Sequence, residues 1–262
     1  MLGLPESIHA FLFDLDGVLT QTAKVHAAAW KDMFDSFLRE EADRDGKPFV
    51  PFDAGADYDT YVDGRPRLDG TRAFLESRGI DLPEGDPDDA PGSRSVQGLS
   101  NLKNLTVLRM IKEQGVDAYE GSLAYVRKLA ELDVPRAVVS SSANCRDVLH
   151  VAGYDGLFEV IVDGIVAHDE GLPGKPAPDT FVAAARKLGY PPESAAVFED
   201  ALAGVAAGHA GGFGCVVGVD RVGQTEALLR HGADQVVTDL AQLMDESAAA
   251  GPDRAHEERD TA

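Results

Sequence analysis

Two kinds of hydrophobic pattern follow one another along the chain, and the change between them predicts its architecture. An apolar run from Ile8 to Phe13 reads as a short buried strand. Over residues 22–40 the apolar positions take helical spacing: Val25, Ala29, Met33 and Phe37 form one row, with Trp30, Phe34 and Leu38 beside it. The next stretch, 40–57, is charged and then rich in Pro, Gly and aromatics, and predicts a long loop. A helix is expected from about Asp69 to Gly79, a second loop over 83–98, and a helix from Asn101 to Gln114 stopped by Gly115. Past residue 118 strands and helices alternate. Strands are expected at 136–140, 160–162, 196–198, 214–219 and 235–237, and helices at 122–132, 145–152, 178–188, 201–210, 224–231 and 239–245. Such alternation with short connections predicts an α/β fold, a doubly wound parallel sheet of Rossmann-like type. Its core would comprise 1–21 and 119–245, with an all-helical domain over 22–118 inserted after the first strand. Residues 246–262 hold almost nothing to bury and predict a flexible tail.

Composition narrows the function classes. A chain of 262 residues, 44% of them hydrophobic, can bury one substantial core and a smaller second domain. No apolar stretch approaches the roughly 20 residues of a membrane-spanning helix. The N-terminus lacks the basic-then-apolar pattern of a secretory signal, and Cys145 and Cys215 are too few for a disulfide framework. A cytoplasmic monomer is the expectation. The net charge of −21 argues against nucleic acid or a membrane surface as partner. It also means that an anionic substrate needs local cations.

Chemistry gathers at the expected carboxyl ends of the strands, where open parallel sheets bind ligands. The first strand ends in Asp14-Leu15-Asp16-Gly17, two acids two residues apart and then a glycine. Bound Mg²⁺ or a carboxylate nucleophile would give such a pair a purpose; an acidic turn is the plain alternative. The second strand ends in Ser140-Ser141-Ser142-Ala143-Asn144, either a phosphate cradle or a serine helix cap. Lys175 stands between Gly174 and Pro176, with prolines to aim it, or else is a solvated loop lysine. Another strand ends in Glu199-Asp200, a pair suited to Mg²⁺ or to capping the next helix. Each signal is weak alone, and four in order are strong.

This ordered set resembles the haloacid dehalogenase-like superfamily of phosphotransferases, in the group with a helical cap inserted after the first motif. Asp14 to Val18, Ser140, Lys175 and Glu199-Asp200 are similar to its four motifs. Within it the β-phosphoglucomutase subgroup is nearest: Thr22 and His26 follow the first motif, Ser140 and Asn144 match a Ser-x-x-x-Asn second motif, and Lys175 to Asp179 matches Lys-Pro-Ala-Pro-Asp. The resemblance also implies a cap arginine in a Gly-x-x-Arg setting, met by Gly64 and Arg67, with Arg65 as the neighbouring choice. Two departures are visible: the cap is longer at 40–57 and 83–97, and Asp63 stands where a lysine would precede the glycine.

The resemblance implies a sugar phosphomutase that interconverts β-glucose 1-phosphate and glucose 6-phosphate through glucose 1,6-bisphosphate, with Mg²⁺ as cofactor. Asp14 would be the nucleophile and Asp16 the general acid and base. Asp14, Asp16 through its carbonyl, Asp200 and Glu199 would serve the metal. Ser140, Ser141, Asn144 and Lys175 would bind phosphate, Arg67 would hold the second phosphate, and Thr22 and His26 would act at the hinge or on Asp16. His26 is otherwise a structural histidine beside an apolar stripe, and Lys103 either adds charge nearby or is an exposed helix lysine. The competing readings are a Mg²⁺-dependent phosphatase on a small phosphosugar and a catalytically dead phosphosugar sensor; the intact acids and Lys175 speak against the last. A dehalogenase has no need of Asp16 or Mg²⁺.

Overall fold

A computed structural model describes residues 2–244, so the tail expected over 246–262 lies outside the described residues. In chain order the elements are β1 (Ala10–Phe13), α1 (Ala23–Asp45), a π-helical turn (Tyr58–Val62), α2 (Arg67–Ser77), α3 (Val96–Gln114), α4 (Glu120–Glu131), β2 (Arg136–Val139), α5 (Cys145–Val151), β3 (Val160–Val162), α6 (Gly164–Asp169), α7 (Asp179–Leu188), β4 (Ala195–Glu199), α8 (Leu202–Ala210), β5 (Cys215–Val219), α9 (Thr225–Arg230) and β6 (Gln235–Val237). The six strands form one sheet in the order β3-β2-β1-β4-β5-β6, and every neighbouring pair is parallel. β1 is central. The chain leaves it for β2 on one side and reaches β4 on the other, so the strand order reverses at the carboxyl end of β1. That reversal opens a crevice there.

Alternation along β1 assigns its two faces. Phe11 and Phe13 enter one apolar cluster with Tyr125, Val138 and Phe198, while Ala10 and Leu12 enter the other with Val139, Phe181 and Val197. Both faces are therefore covered, as a parallel sheet requires. Phe13 stacks on Phe198 with ring centroids 4.4 Å apart, which fixes the pairing of β1 with β4 just below the crevice.

The segment between β1 and α4 is helical and has its own apolar cluster. Phe34 of α1 lies 4.1 Å from Phe74 of α2 and 5.3 Å from Phe52, centroid to centroid. Fully burying one such ring is worth about 1.5–3 kcal/mol. Phe52 is carried in from an irregular stretch by its N–H, which donates to Asp35 Oδ1 at 2.8 Å. The insertion leaves and returns at one point, where Gln21 N–H donates to Asp117 O and Tyr119 N–H to Leu19 O.

Local boundaries differ from expectation for identifiable reasons. α1 continues past residue 40 to Asp45, where Gly46 in the left-handed region (φ 64°) ends it. α3 begins at Val96 rather than Asn101, because the Ser95 hydroxyl caps it by accepting from Gly98 N–H at 2.9 Å. The loop expected over 40–57 is interrupted by the end of α1 and followed by the π-helical turn. α6 had no periodicity to announce it; the Asp163 carboxylate caps it at Val166 N–H. The expected helix at 239–245 is a 3₁₀ turn over Leu240–Leu243 closed by a capping box of Asp239 and Gln242.

Candidate active site

Asp14 prolongs β1 by one residue, its N–H donating to Phe198 O at 2.9 Å. The chain then turns sharply, closed by Gly17 N–H to Thr20 O at 2.8 Å. Gly17 has φ 87°, and a Cβ there would overlap the Asp200 carboxylate, so glycine is needed both for the turn and for the approach. The two acidic strand ends are thus pressed together.

Lys175 lies between them. Its ammonium, with the side chain 1% exposed, donates to Asp14 Oδ1 and Glu199 Oε1, each at 2.5 Å, and to Val139 O at 3.2 Å. Burial works to lower its pKa, but the charges of Asp14 and Glu199 outweigh burial and raise it, so it stays charged. Burial pushes the Asp14 carboxyl well up, and Lys175 counters this; Glu199 and Asp16 add repulsion. Asp200 is raised too, by burial first and then by the charges of Asp63 and Glu199.

One ammonium therefore serves a crowd of carboxylates. Ligand oxygens of Asp14, Glu199 and Asp200 lie within 4.8 Å of one another, a hard, anionic donor set that fits Mg²⁺. Glu199 is already committed, Oε1 to Lys175 and Oε2 to Ala201 N–H at 2.9 Å. Asp14 and Asp200 are left as the side chains best placed to hold a cation.

Asp16 is held from the insertion side. The Thr22 hydroxyl donates to Asp16 Oδ1; Thr22 occupies the N-cap of α1 but makes no capping bond. His26 Nε2 is 3.6 Å from the same oxygen, and its Nδ1 is 2.9 Å from Lys103 Nζ. Burial, then the Lys103 charge, lowers the His26 pKa to about 4, so the ring is neutral at neutral pH. Lys103 is buried over the Trp30 ring rather than exposed on its helix. Burial lowers its pKa to about 7, with Asp16 opposing and Arg67 assisting.

Around the crevice Ser140 Oγ accepts from Ser142 N–H at 3.1 Å, and Ser141 donates to Gly64 O at 2.8 Å, which joins core to cap. Asn144 Nδ2 donates to Asn104 Oδ1 at 3.0 Å, a second such link. Arg67 opens α2, and its Nε is buried without a hydrogen-bond partner among the described residues. Arg65 instead donates to Thr60 O, within its own turn. Asp14, Asp16, His26, Arg67, Lys103, Ser140, Ser141, Asn144 and Asp200 line one cavity of about 540 Å³. Lys175, Glu199 and Thr22 support it from behind.

Asp63, Tyr58 and Asn104 also line this cavity and were not among the expected site residues. Burial, then the Glu199 charge, raises Asp63 to about 7, against a hydrogen bond from Tyr58. In the sequence Asp63 is marked by its place before Gly64, where it departs from the lysine of the family pattern.

A family model for haloacid dehalogenase-like hydrolases matches residues 8–212. The chain is 53% identical over 247 residues to a β-phosphoglucomutase of Mycobacterium tuberculosis (strain CDC 1551 / Oshkosh), covering 93% of this chain and 94% of that one. It is 30% identical over 235 residues to a β-phosphoglucomutase of Bacillus subtilis, covering 89% and 91%. The crystal structure of β-phosphoglucomutase from Clostridium difficile superposes with a TM-score of 0.70 at 25% identity, covering 92% of this chain and 95% of that one.

Proposed function

The chain belongs to the haloacid dehalogenase-like hydrolase family, and from that premise we propose that it is a β-phosphoglucomutase, which interconverts β-D-glucose 1-phosphate and glucose 6-phosphate through glucose 1,6-bisphosphate. One observation carries the reading beyond phosphoryl chemistry in general. Arg67, whose buried Nε has no partner among the described residues, lines the same cavity as Asp14 and Asp16 but comes from the cap. A mutase must grip a sugar by two phosphates at once, and a cap cation lines this cavity while Lys175 backs its Asp14 end from the core.

In this reading Asp14 attacks phosphorus and becomes an aspartyl phosphate. Ser140 holds the phosphoryl oxygens, and Lys175, set behind Asp14, offsets negative charge at that end of the cavity and stays charged because Glu199 remains beside it. Asp16 gives a proton to the departing sugar oxygen and takes one back from the hydroxyl that attacks next. Thr22 holds Asp16 Oδ1 for that task, and the neutral His26 lies between Asp16 and Lys103. Mg²⁺, held by Asp14, Asp200 and the carbonyl of Asp16, would offset charge on the phosphoryl oxygens. Phosphorus NMR of the protein with Mg²⁺ and β-glucose 1-phosphate, with a trace of the bisphosphate, tests the proposal. Accumulation of glucose 6-phosphate is expected. Release of inorganic phosphate alone would make the chain a phosphatase.

Arg67→Ala is expected to impair the mutase reaction far more than phosphoryl transfer from acetyl phosphate to Asp14. Loss of a charge-assisted contact costs about 2–3 kcal/mol, roughly thirty- to over a hundredfold in kcat/KM. Equal loss with both donors would move Arg67 out of the second phosphate site.

Lys103 predicts a pH signature. With a pKa of about 7 it is mostly neutral at pH 8. A phosphate dianion bound near it favours the charged form, so binding takes up a proton. Calorimetry of glucose 6-phosphate binding at pH 8, in two buffers of different ionisation heat, should show uptake approaching about one proton. Lys103→Met should abolish it. Without ligand the sign is opposite to that of an ion-paired lysine. Between pH 7 and 10.5 the unfolded chain holds this proton and the folded one does not, so stability rises with pH there.

A further inference from the structure

One loop outside the catalytic machinery reaches both acidic strand ends. It begins where β5 stops. The Oδ1 of Asp220 accepts from the N–H groups of Val222, Gly223 and Gln224 at 3.1, 2.7 and 2.9 Å, and its Oδ2 accepts from the Thr225 hydroxyl at 2.5 Å. These bonds fix the loop as it enters α9. Two side chains leave it for the site.

Arg221 runs to the turn after β1. Its Nε donates to Gly17 O at 2.9 Å, and its Nη2 lies 3.4 Å from Val18 O. Its Nη1 donates to Thr238 O at 2.6 Å, which anchors the other end of the fork. The guanidinium lies 3.6 Å over the Tyr119 ring, and Tyr119 is the residue whose N–H pairs with Leu19 where the cap returns. The side chain is only 13% exposed. Gln224 runs to the other strand end, its Nε2 donating to Asp200 O at 2.9 Å.

Gly17 and Asp200 are the two residues whose close approach brings the acidic ends together. A single loop therefore grips both sides of that contact by their backbone carbonyls. Neither Arg221 nor Gln224 lines the cavity, so neither touches a substrate there. We propose that Arg221 and Gln224 are positioning residues that set the spacing between the Asp14–Gly17 turn and Asp200, and through it the affinity of the divalent-cation site. This rests on reading those acids as a Mg²⁺ site. The planar fork matters: Arg221 reaches Gly17, Val18 and Thr238 together while stacking on Tyr119, which an ammonium cannot reproduce.

The test is Mg²⁺ binding by titration calorimetry to the full chain without substrate, alongside thermal melts without Mg²⁺. Arg221→Met and Gln224→Ala are compared with wild type, Arg221→Lys and the remote control Arg230→Met. Residues that orient ligands from behind typically change metal affinity about 10–100-fold. Arg221→Met is expected to weaken Mg²⁺ binding at least about tenfold and Gln224→Ala by a smaller factor, with Arg221→Lys resembling Arg221→Met and Arg230→Met unchanged. Lower melting temperatures with Mg²⁺ affinity within about twofold of wild type in both variants would leave only a structural role and overturn the proposal. If Arg221→Met does not fold, the affinity of Gln224→Ala decides in the same way. Asp200→Asn separates the two readings. Wild-type affinity in that variant defeats the metal site itself, whereas lost affinity there with normal affinity in the loop variants defeats only the clamp.

Discussion

Asp14→Asn is expected to lower turnover by about 10⁴-fold or more while leaving the fold intact. The amide has nearly the shape of the acid but is a poor nucleophile and a weak partner for a cation. Asp14 is mostly buried at a strand end, and its backbone N–H to Phe198 O does not depend on its side chain. Burial already works against its charge, so removing that charge costs folding little; Lys175 keeps Glu199 as its counter-ion. A change in stability within about 1 kcal/mol is expected. Initial rates and urea melts of the same preparation check both halves. Retention of more than about one per cent of wild-type rate would remove Asp14 from the role of nucleophile.

Lys175→Met should damage both activity and stability. The ammonium lies between two buried carboxylates, and methionine fills its volume without its charge. Breaking a buried pair by removing one partner costs about 3–5 kcal/mol, because the remaining charge stays uncompensated. Loss of the cation beside the Asp14 carboxylate should cost a further factor of about 10²–10³ in rate. The stability deficit has a pH sign. Asp14 is already raised by burial and loses the charge that restrains it, so its folded pKa rises further. The folded variant then binds a proton that the unfolded chain releases above pH 3.8, and its stability recovers as pH falls through that raised pKa. Urea melts of variant and wild type at pH 7.5 and 5.5 should show a smaller difference at the lower pH. A difference that grows at the lower pH would contradict this sign.

The sheet was legible because its strands are short apolar runs, each ending where polar residues begin. Phe13 to Asp14, Val139 to Ser140 and Phe198 to Glu199 are such junctions, and all three lie at the carboxyl end of the sheet. Order along the chain became proximity in space because parallel strands put every carboxyl end on the same side. The cap side was harder to read. Lys103 sits on α3, far from His26 in sequence, and only the packing of α1 against α3 brings the two together and buries the ammonium over Trp30. Nothing in helical spacing separates a buried lysine from a solvated one. Asp63 is a similar case, since its place in the cavity beside Tyr58 comes from the fold of the cap and not from any local pattern. Arg221 and Gln224 act through backbone carbonyls, which leave no mark on the residues they hold.

The central place of β1 has a consequence for how the chain acquires its shape. β1 precedes the other strands of its sheet in the chain, yet its neighbours β2 and β4 begin only at Arg136 and Ala195. Until then both of its edges lack partners, and Phe11, Leu12 and Phe13 have no sheet faces to cover them. The helices of the cap follow immediately and can bury Trp30, Phe34 and Phe74 against one another without any strand. Closure of the sheet must wait for contacts of long sequence separation, a topology that folds slowly. The active-site strand therefore stays open on one edge while the whole cap and the first half of the sheet are made, and is enclosed on both only after Ala195.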